Sequence, residues 1–287
     1  IAATKMLMQA AGIRPGSIAA LAISGHSLGV VPMNGKGELL LSSVPIWSDM
    51  RAEKQAKEFF SGRSEPDWYM KTGNGFPAHL YTAFKLLWYK ENMPDMLKDT
   101  AMVLGTKDYI NYKLTGRIAT DPSYASGSGF YDLIKNAYDE GLLGEFGFPA
   151  SLFPEIVPST QIIGTLTPEA ARATGLGMHV KVACGGVDNS CMALGARGIE
   201  DGRVYTSLGS SSWIAVTSRR PILDETLRPF VFAHVIPGMY TSATSIFSAG
   251  SSFQWVRNQL CRDLLGKEED AYVLMNREAA KSPVGAN

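Results

Sequence analysis

The stretch that most restricts how this chain can fold runs from Val180 to Ala196. An apolar run (Val180 to Cys184) meets two glycines, then Val187-Asp188-Asn189, then a helix pattern of small residues (Ser190 to Ala196). Strand, glycine turn and helix in immediate succession form the unit of an α/β fold, with Asp188 at the carboxyl edge of the sheet where such folds place ligands. Ile18 to Ser24, an apolar run between Gly16 and Gly25, reads as a second, buried strand of a parallel sheet. Val30 to Met33 and Glu38 to Leu41 flank Asn34-Gly35-Lys36-Gly37, a hairpin signal. Helices are expected over Thr4 to Ala11, from Ser48 or Asp49 as cap to about Phe60, and over Ala78 to Asn92, Thr106 to Leu114 and Pro168 to Thr174. The polar stretch Thr120 to Gly129 reads as loop, and Val204 to Ser207 and Trp213 to Thr217 as two strands.

Composition removes several classes of function. The 287 residues carry 27 basic and 27 acidic side chains, so the charge footprint of a protein that grips nucleic acid or an anionic membrane is missing. No apolar stretch is long enough to span a bilayer as a helix. The three cysteines form no CxxC and the four histidines no HExxH, which fits a reducing, cytoplasmic setting and offers no metal site. Both ends read as cut: Ile1 falls inside a helix pattern and Asn287 in a loop-like SPVGAN.

Gly25-His26-Ser27-Leu28-Gly29 fits G-x-S-x-G, in which Ser27 would be a hydrolase nucleophile and His179 or His234 its base. The pattern needs a helix directly after the second glycine, whereas Val30-Val31-Pro32-Met33-Asn34-Gly35 reads as strand and turn. A plain strand-to-strand turn is the better reading, with a Ser27 hydrolase as the alternative. Asp188 near a helix start is held ionised by the dipole and can orient and deprotonate a hydroxyl, although an ordinary N-cap needs the same residue type. Leu208-Gly209-Ser210-Ser211-Ser212 is a turn whose amides and hydroxyls can cradle phosphate oxygens, or an ordinary polar turn. An acidic turn followed about twenty residues later by a phosphate-like turn suits a hydroxyl acceptor facing a nucleotide. No Walker loop is present, which excludes a P-loop kinase within this segment.

In this order the motifs resemble those of the FGGY family of carbohydrate kinases. Ile23-Ser24-Gly25-His26 is similar to its ISGQ strand end, and Ile46-Trp47-Ser48-Asp49-Met50-Arg51 to its W-x-D-x-R. Thr82 to Asn92 is similar to its K-x-x-W helix, and Leu114-Thr115-Gly116 with Thr120-Asp121 and Ala125-Ser126 to its LTG, TD and AS stretch. Gly185-Gly186-Val187-Asp188-Asn189 resembles its G-G-x-D turn, and Ser207-Leu208-Gly209-Ser210-Ser211 its phosphate turn. The resemblance implies an actin-like ATPase (ribonuclease H-like) fold of two domains, here truncated. Residues 1–199 would be the sugar-binding domain and 200–287 the start of the nucleotide-binding domain.

It implies further that Asp188 is the general base for phosphorylation of a ketose such as xylulose, a polyol or a sugar acid by ATP with Mg2+. Asn189, His26, Ser27, Trp47, Asp49 and Arg51 would form the sugar site, and Gly209, Ser210 and Ser211 would hold phosphate. The expected partners are a small sugar and a second copy in a homodimer. A non-catalytic actin-like nucleotide-binding protein is the remaining alternative. The family's glutamine is His26 here and its substrate-contacting histidine falls on Leu28, which cannot hydrogen-bond a polyol. The family's first phosphate loop and its adenosine motif have no counterpart in these residues, so the segment alone is expected to be inactive.

Overall fold

The computed structural model describes residues 1–283 and 285. The chain divides into two compact units, one of residues 1–203 and 216–242, the other of residues 204–215 and 243–287.

The first unit is built on a three-stranded sheet with the Lys181–Val187 strand in the centre. Ala20–Gly25 pairs with it in parallel and Ile162–Thr165 antiparallel. The central strand runs through both glycines, ending at Val187 rather than at Cys184 as expected. Its register against Ala20–Gly25 shifts between Ala22 and Ser24, and the irregularity falls where Gly185 adopts φ +73°. A Cβ there would lie 2.2 Å from the Ile23 carbonyl oxygen, so only glycine lets the two strands approach. Ala20–Gly25 is parallel as expected, but it is half-buried rather than buried, because its residues alternate between exposed and intermediate along an edge strand.

Beside this sheet lies an aromatic core assembled from the Glu53–Phe60, Glu65–Thr72, Thr82–Asn92 and Glu140–Phe146 helices. Phe59 stacks on Phe146 at 4.2 Å, and Phe84 meets both edge-on at 5.5 and 5.2 Å, the offset and T-shaped geometries that aromatic quadrupoles favour. The helix expected to open at Ser48 or Asp49 begins only at Glu53, with no side-chain cap, because Asp49 turns back onto Arg51 instead. Tyr81 is extended (ψ 152°) and splits the expected 78–92 helix into a short 3-10 turn, Ala78–Leu80, and Thr82–Asn92. The 120–129 stretch, expected as loop, holds a buried helical turn, Pro122–Ala125, whose cap Asp121 accepts from the Ser123 N–H. Polarity there reflects internal hydrogen bonding, not exposure. Phe230 and Phe232 are buried, with Phe230 stacked on Phe76 at 4.0 Å.

The second unit contains the 204–208 and 212–215 portions of the Arg203–Leu208 and Ser212–Ser218 strands, followed by the Gly250–Gln259 and Ala271–Ala279 helices. Phe253 packs on Tyr272 at 5.4 Å, and the Arg257 guanidinium lies 4.5 Å above the same ring. Phe247, Phe253 and Trp255 are exposed.

Replacing Gly185 with alanine tests the strand crossing. We expect Gly185→Ala to destabilise by more than ~2 kcal/mol, the left-handed conformation alone costing about 1–2 kcal/mol before the clash with Ile23. Gly195→Ala, at a helical position with nothing within 4 Å of the added Cβ, should be neutral or slightly stabilising. Urea denaturation midpoints of the two variants check both expectations.

Candidate active site

Asp188 is the first residue of the Asp188–Gly195 helix, directly after the central strand. Val187 occupies the cap position, and no side chain caps the helix. A capping aspartate reaches the N–H two or three residues ahead. Asp188 Oδ1 instead accepts from the next residue, the Asn189 N–H, at 2.9 Å. The ordinary N-cap reading therefore fails. Burial pushes the Asp188 carboxyl above the usual aspartate range, partly offset by backbone N–H groups and by the neighbouring His26. The helix start is tied down by Ser190, whose hydroxyl donates to the Ala233 carbonyl at 2.9 Å.

Ser24 lies opposite Gly186 and Gly25 opposite Val187, so the sheet register brings the 25–29 turn beside the Asp188 turn. His26 is half-buried, and its Nε2 is buried with no hydrogen-bond partner among the described residues. Ser27 is buried, and the element after Gly29 is the Val31–Met33 strand followed by a turn closed from Asn34 to Glu38. No helix supports Ser27, so the nucleophile elbow is absent. Leu28 takes a left-handed φ of +63° and is 1% exposed, packed in the aromatic core. Its side chain therefore belongs to the core.

A buried ammonium clasps this region. Lys85 Nζ donates to the Leu28 carbonyl at 3.0 Å and to the Ile46 carbonyl at 2.7 Å, tying the 25–29 turn to the residue before Trp47. Burial pushes Lys85 down to about 8, against the pull of Asp49. Trp47 is 39% exposed, open enough to offer an apolar wall. Asp49 binds Arg51 through two side-chain hydrogen bonds of 2.8 Å, which hold the Asp49 carboxyl below its usual range. The Arg51 guanidinium lies 4.8 Å over the Trp88 ring. Asp49 and Arg51 thus brace the Trp47 loop.

In the other unit, Gly209, Ser210 and Ser211 form an exposed turn. The Gly209 N–H donates to the Ser211 carbonyl, while Ala249 and Gly250 donate to the carbonyls of Ser210 and Gly209 at 2.8 and 3.0 Å. A Cβ on Gly250 would lie 2.4 Å from the Gly209 oxygen, so this glycine allows the Gly250–Gln259 helix to start against the turn. Among the described residues, no group of three His, Cys, Asp or Glu side chains converges into a metal donor set.

A second cluster lies beneath the Asp188 turn, and the sequence reading did not single it out as a site. Lys107, 1% exposed, contacts Asp108 Oδ1 at 2.6 Å and Asp121 Oδ1 at 3.0 Å, and donates to the Cys184 carbonyl at 3.1 Å. Asn111, one helical turn on, donates to the same carbonyl at 2.7 Å. The sequence carries no local signal for it, since Lys107-Asp108 reads as a polar helix face and Thr120-Asp121 opens a polar stretch.

A central strand running through two glycines into an acidic helix start, beside the turn of its parallel neighbour, fits an α/β protein of the actin-like ATPase class. Solved structures agree. Xylulose kinase from Rhodospirillum rubrum superposes with a TM-score of 0.84 at 28% identity, over 93% of this chain and 53% of that one. Ligand-bound xylulose kinase from Lactobacillus acidophilus superposes at 0.85 over 99% and 56%, with 23% identity.

The chain belongs to the FGGY family of carbohydrate kinases, whose N-terminal domain matches residues 1–195. It is 28% identical over its whole length to a xylulose kinase of Bacillus subtilis (strain 168), covering 56% of that protein. A xylulose kinase of Streptomyces rubiginosus is 33% identical over 71% of the chain and 42% of its own length. An autoinducer-2 kinase of Escherichia coli (strain K12) is 28% identical over 96% and 53%. The chain thus spans about half the length of the curated relatives it matches.

The Lys85 clasp carries a pH signature. Folding lowers its pKa from 10.5 to about 8, so between those values the unfolded chain binds more protons and stability rises with pH. Lys85→Met should lose that rise relative to wild type when chemical denaturation is followed from pH 7.5 to 10. It should also be about 1–3 kcal/mol less stable at pH 7, because the Leu28 and Ile46 carbonyls lose their donor.

Proposed function

We propose that the natural full-length chain transfers the γ-phosphoryl group of ATP to a hydroxyl of a small sugar, with Asp188 as the base. The observation that carries this reading is Asp188 itself. It is a half-buried carboxylate at the carboxyl end of the central strand, relieved of any capping role and facing His26. A carboxyl raised by burial is a better proton acceptor than an ordinary aspartate. It would hold a substrate hydroxyl by accepting its proton in a hydrogen bond. It would take that proton as the oxygen attacks phosphorus, while ADP leaves. Most of the acceleration in such a transfer comes from positioning and charge stabilisation.

The sugar would lie against Trp47, with Asn189, His26 and Ser27 around it and the Asp49–Arg51 pair holding the Trp47 loop in place. Residues 1–199 would form the sugar-binding domain and 200–287 the start of the nucleotide-binding domain. There the exposed Gly209, Ser210 and Ser211 turn would hold phosphate oxygens by its hydroxyls. When bound with the nucleotide, Mg2+ would offset phosphate charge. A five-carbon ketose is the favoured acceptor, because two of the relatives are xylulose kinases. The setting would be the cytoplasm, consistent with three unpaired thiols among the described residues.

ADP release by the full-length chain, measured across pentuloses, hexuloses, polyols and sugar acids, tests this. Sugar-dependent release that falls by at least about 10²-fold in Asp188→Asn is expected. No release with any sugar would overturn the reading in favour of a nucleotide-binding protein without turnover. The pH profile adds a second check. Activity should fall with decreasing pH through an acidic limb placed above the usual aspartate range, since the base is lost once its raised pKa is crossed. His26→Gln should move that limb to higher pH, because His26 favours the charged carboxylate.

A further inference from the structure

The Asp188 turn has almost no side chains of its own with which to hold a position. Gly185 and Gly186 are bare, and the two flanking peptide groups are gripped by residues from far earlier in the chain. On one side, the Cys184 carbonyl accepts from Lys107 Nζ at 3.1 Å and from Asn111 Nδ2 at 2.7 Å. On the other side, the Val187 N–H donates to Ser123 Oγ at 2.9 Å. The Ser123 hydroxyl donates in turn to Asp121 Oδ2, which also accepts from Ser159 Oγ at 2.7 Å and from the Ser123 N–H at 3.0 Å. The other oxygen of Asp121 faces Lys107 Nζ at 3.0 Å, which closes the loop. Lys107, Asp121 and Ser123 are each at most 1% exposed.

We propose that Lys107, Asp121 and Ser123 form a positioning relay for the proposed base, fixing the Val187 peptide and hence the direction in which Asp188 leaves the sheet. None of the three touches the expected substrate region; each acts through the next. The orientation passes from an ammonium to a carboxylate, to a hydroxyl and to the peptide N–H immediately before Asp188. Charge sets the polarity of the relay. Asp121 Oδ2 accepts three hydrogen bonds while Oδ1 is ion-paired with Lys107, so the carboxylate acts as an acceptor and the Ser123 proton must point at it. That leaves a Ser123 lone pair facing Val187. A neutral or misdirected hydroxyl network would not fix this choice. Gly186 is part of the same fit, since a Cβ there would meet Val235 Cγ1 at 2.3 Å and Ser123 Oγ at 3.1 Å.

The inference rests on the kinase reading above, and the test separates the two. In the full-length chain, Ser123→Ala removes the hydroxyl and little volume. It should lower kcat with the preferred sugar by about 10- to 100-fold, the scale on which small misplacements of a catalytic group act, with KM for sugar and ATP within about threefold of wild type. Amide hydrogen exchange at Val187, read by NMR or mass spectrometry, should accelerate in the variant. Thr72→Val serves as a control, because it removes an equally buried hydroxyl that bonds only within its own helix and the adjoining turn. It should lower the melting temperature without lowering kcat. A wild type that is active, with kcat of Ser123→Ala within twofold of it, would overturn the relay and leave the kinase reading standing. So would a loss in Ser123→Ala spread equally over kcat and KM and matched by Thr72→Val. A wild type without sugar-dependent ADP release would overturn the kinase reading and the relay's catalytic consequence together.

Discussion

One buried ammonium organises the first unit around the end of its central strand. Removing Lys107 and two carboxylates from water costs several kcal/mol per ion, and attraction between them offsets this only when every proton and lone pair is directed. Here burial works against the Lys107 charge, yet Asp108 and Asp121 more than reverse it and leave the amine firmly protonated. Burial raises Asp108, while Lys107 opposes that rise. Such an arrangement is weak evidence for net stability, because a well-packed apolar core of the same volume would serve that purpose equally well. Its worth lies in direction. The surplus donor capacity of Lys107 reaches the Cys184 carbonyl, and the surplus acceptor capacity of Asp121 reaches the hydroxyl that holds Val187.

The same device appears again on the other side of the candidate site, with different partners. Among the described residues Lys85 has no carboxylate in direct contact and is satisfied by two carbonyls, so burial prevails and its affinity for a proton drops. The two lysines thus respond oppositely to similar burial, according to whether full charges or peptide dipoles face them. Lys107 stays charged over the whole useful pH range, whereas Lys85 sits close to the point where it gives its charge up.

Much of this was legible in the residues. The strand, double glycine and helix around Asp188 announce themselves because each step uses a residue type with a sharp local preference. The parallel partner at Ala20–Gly25 and the strand after Gly29 were equally plain. Misses arose where a side chain found a distant partner instead of a local one. Asp49 reads as a helix cap until Arg51 is seen to occupy both its oxygens. The 120–129 stretch reads as loop because its polar groups are satisfied by one another and by residues from Gly185 onward, which no local pattern encodes. Lys107-Asp108 resembles a solvated helix face until burial shows otherwise. Polar residues buried by long-range pairing are the ones that sequence periodicity discards.

The alternation at His26, Ser27 and Leu28 has a consequence for how such a protein can change. Leu28 spends its side chain on the core through a left-handed backbone, and His26, two residues earlier, keeps its own beside the Asp188 carboxylate. On the proposed reading, stability and substrate preference are carried by separate neighbours in one short turn. Drift at position 26 can sample new acceptor chemistry with the core intact, while position 28 is closed to such exploration. On that reading, a lineage bearing this turn would retune its selectivity at position 26 rather than at position 28.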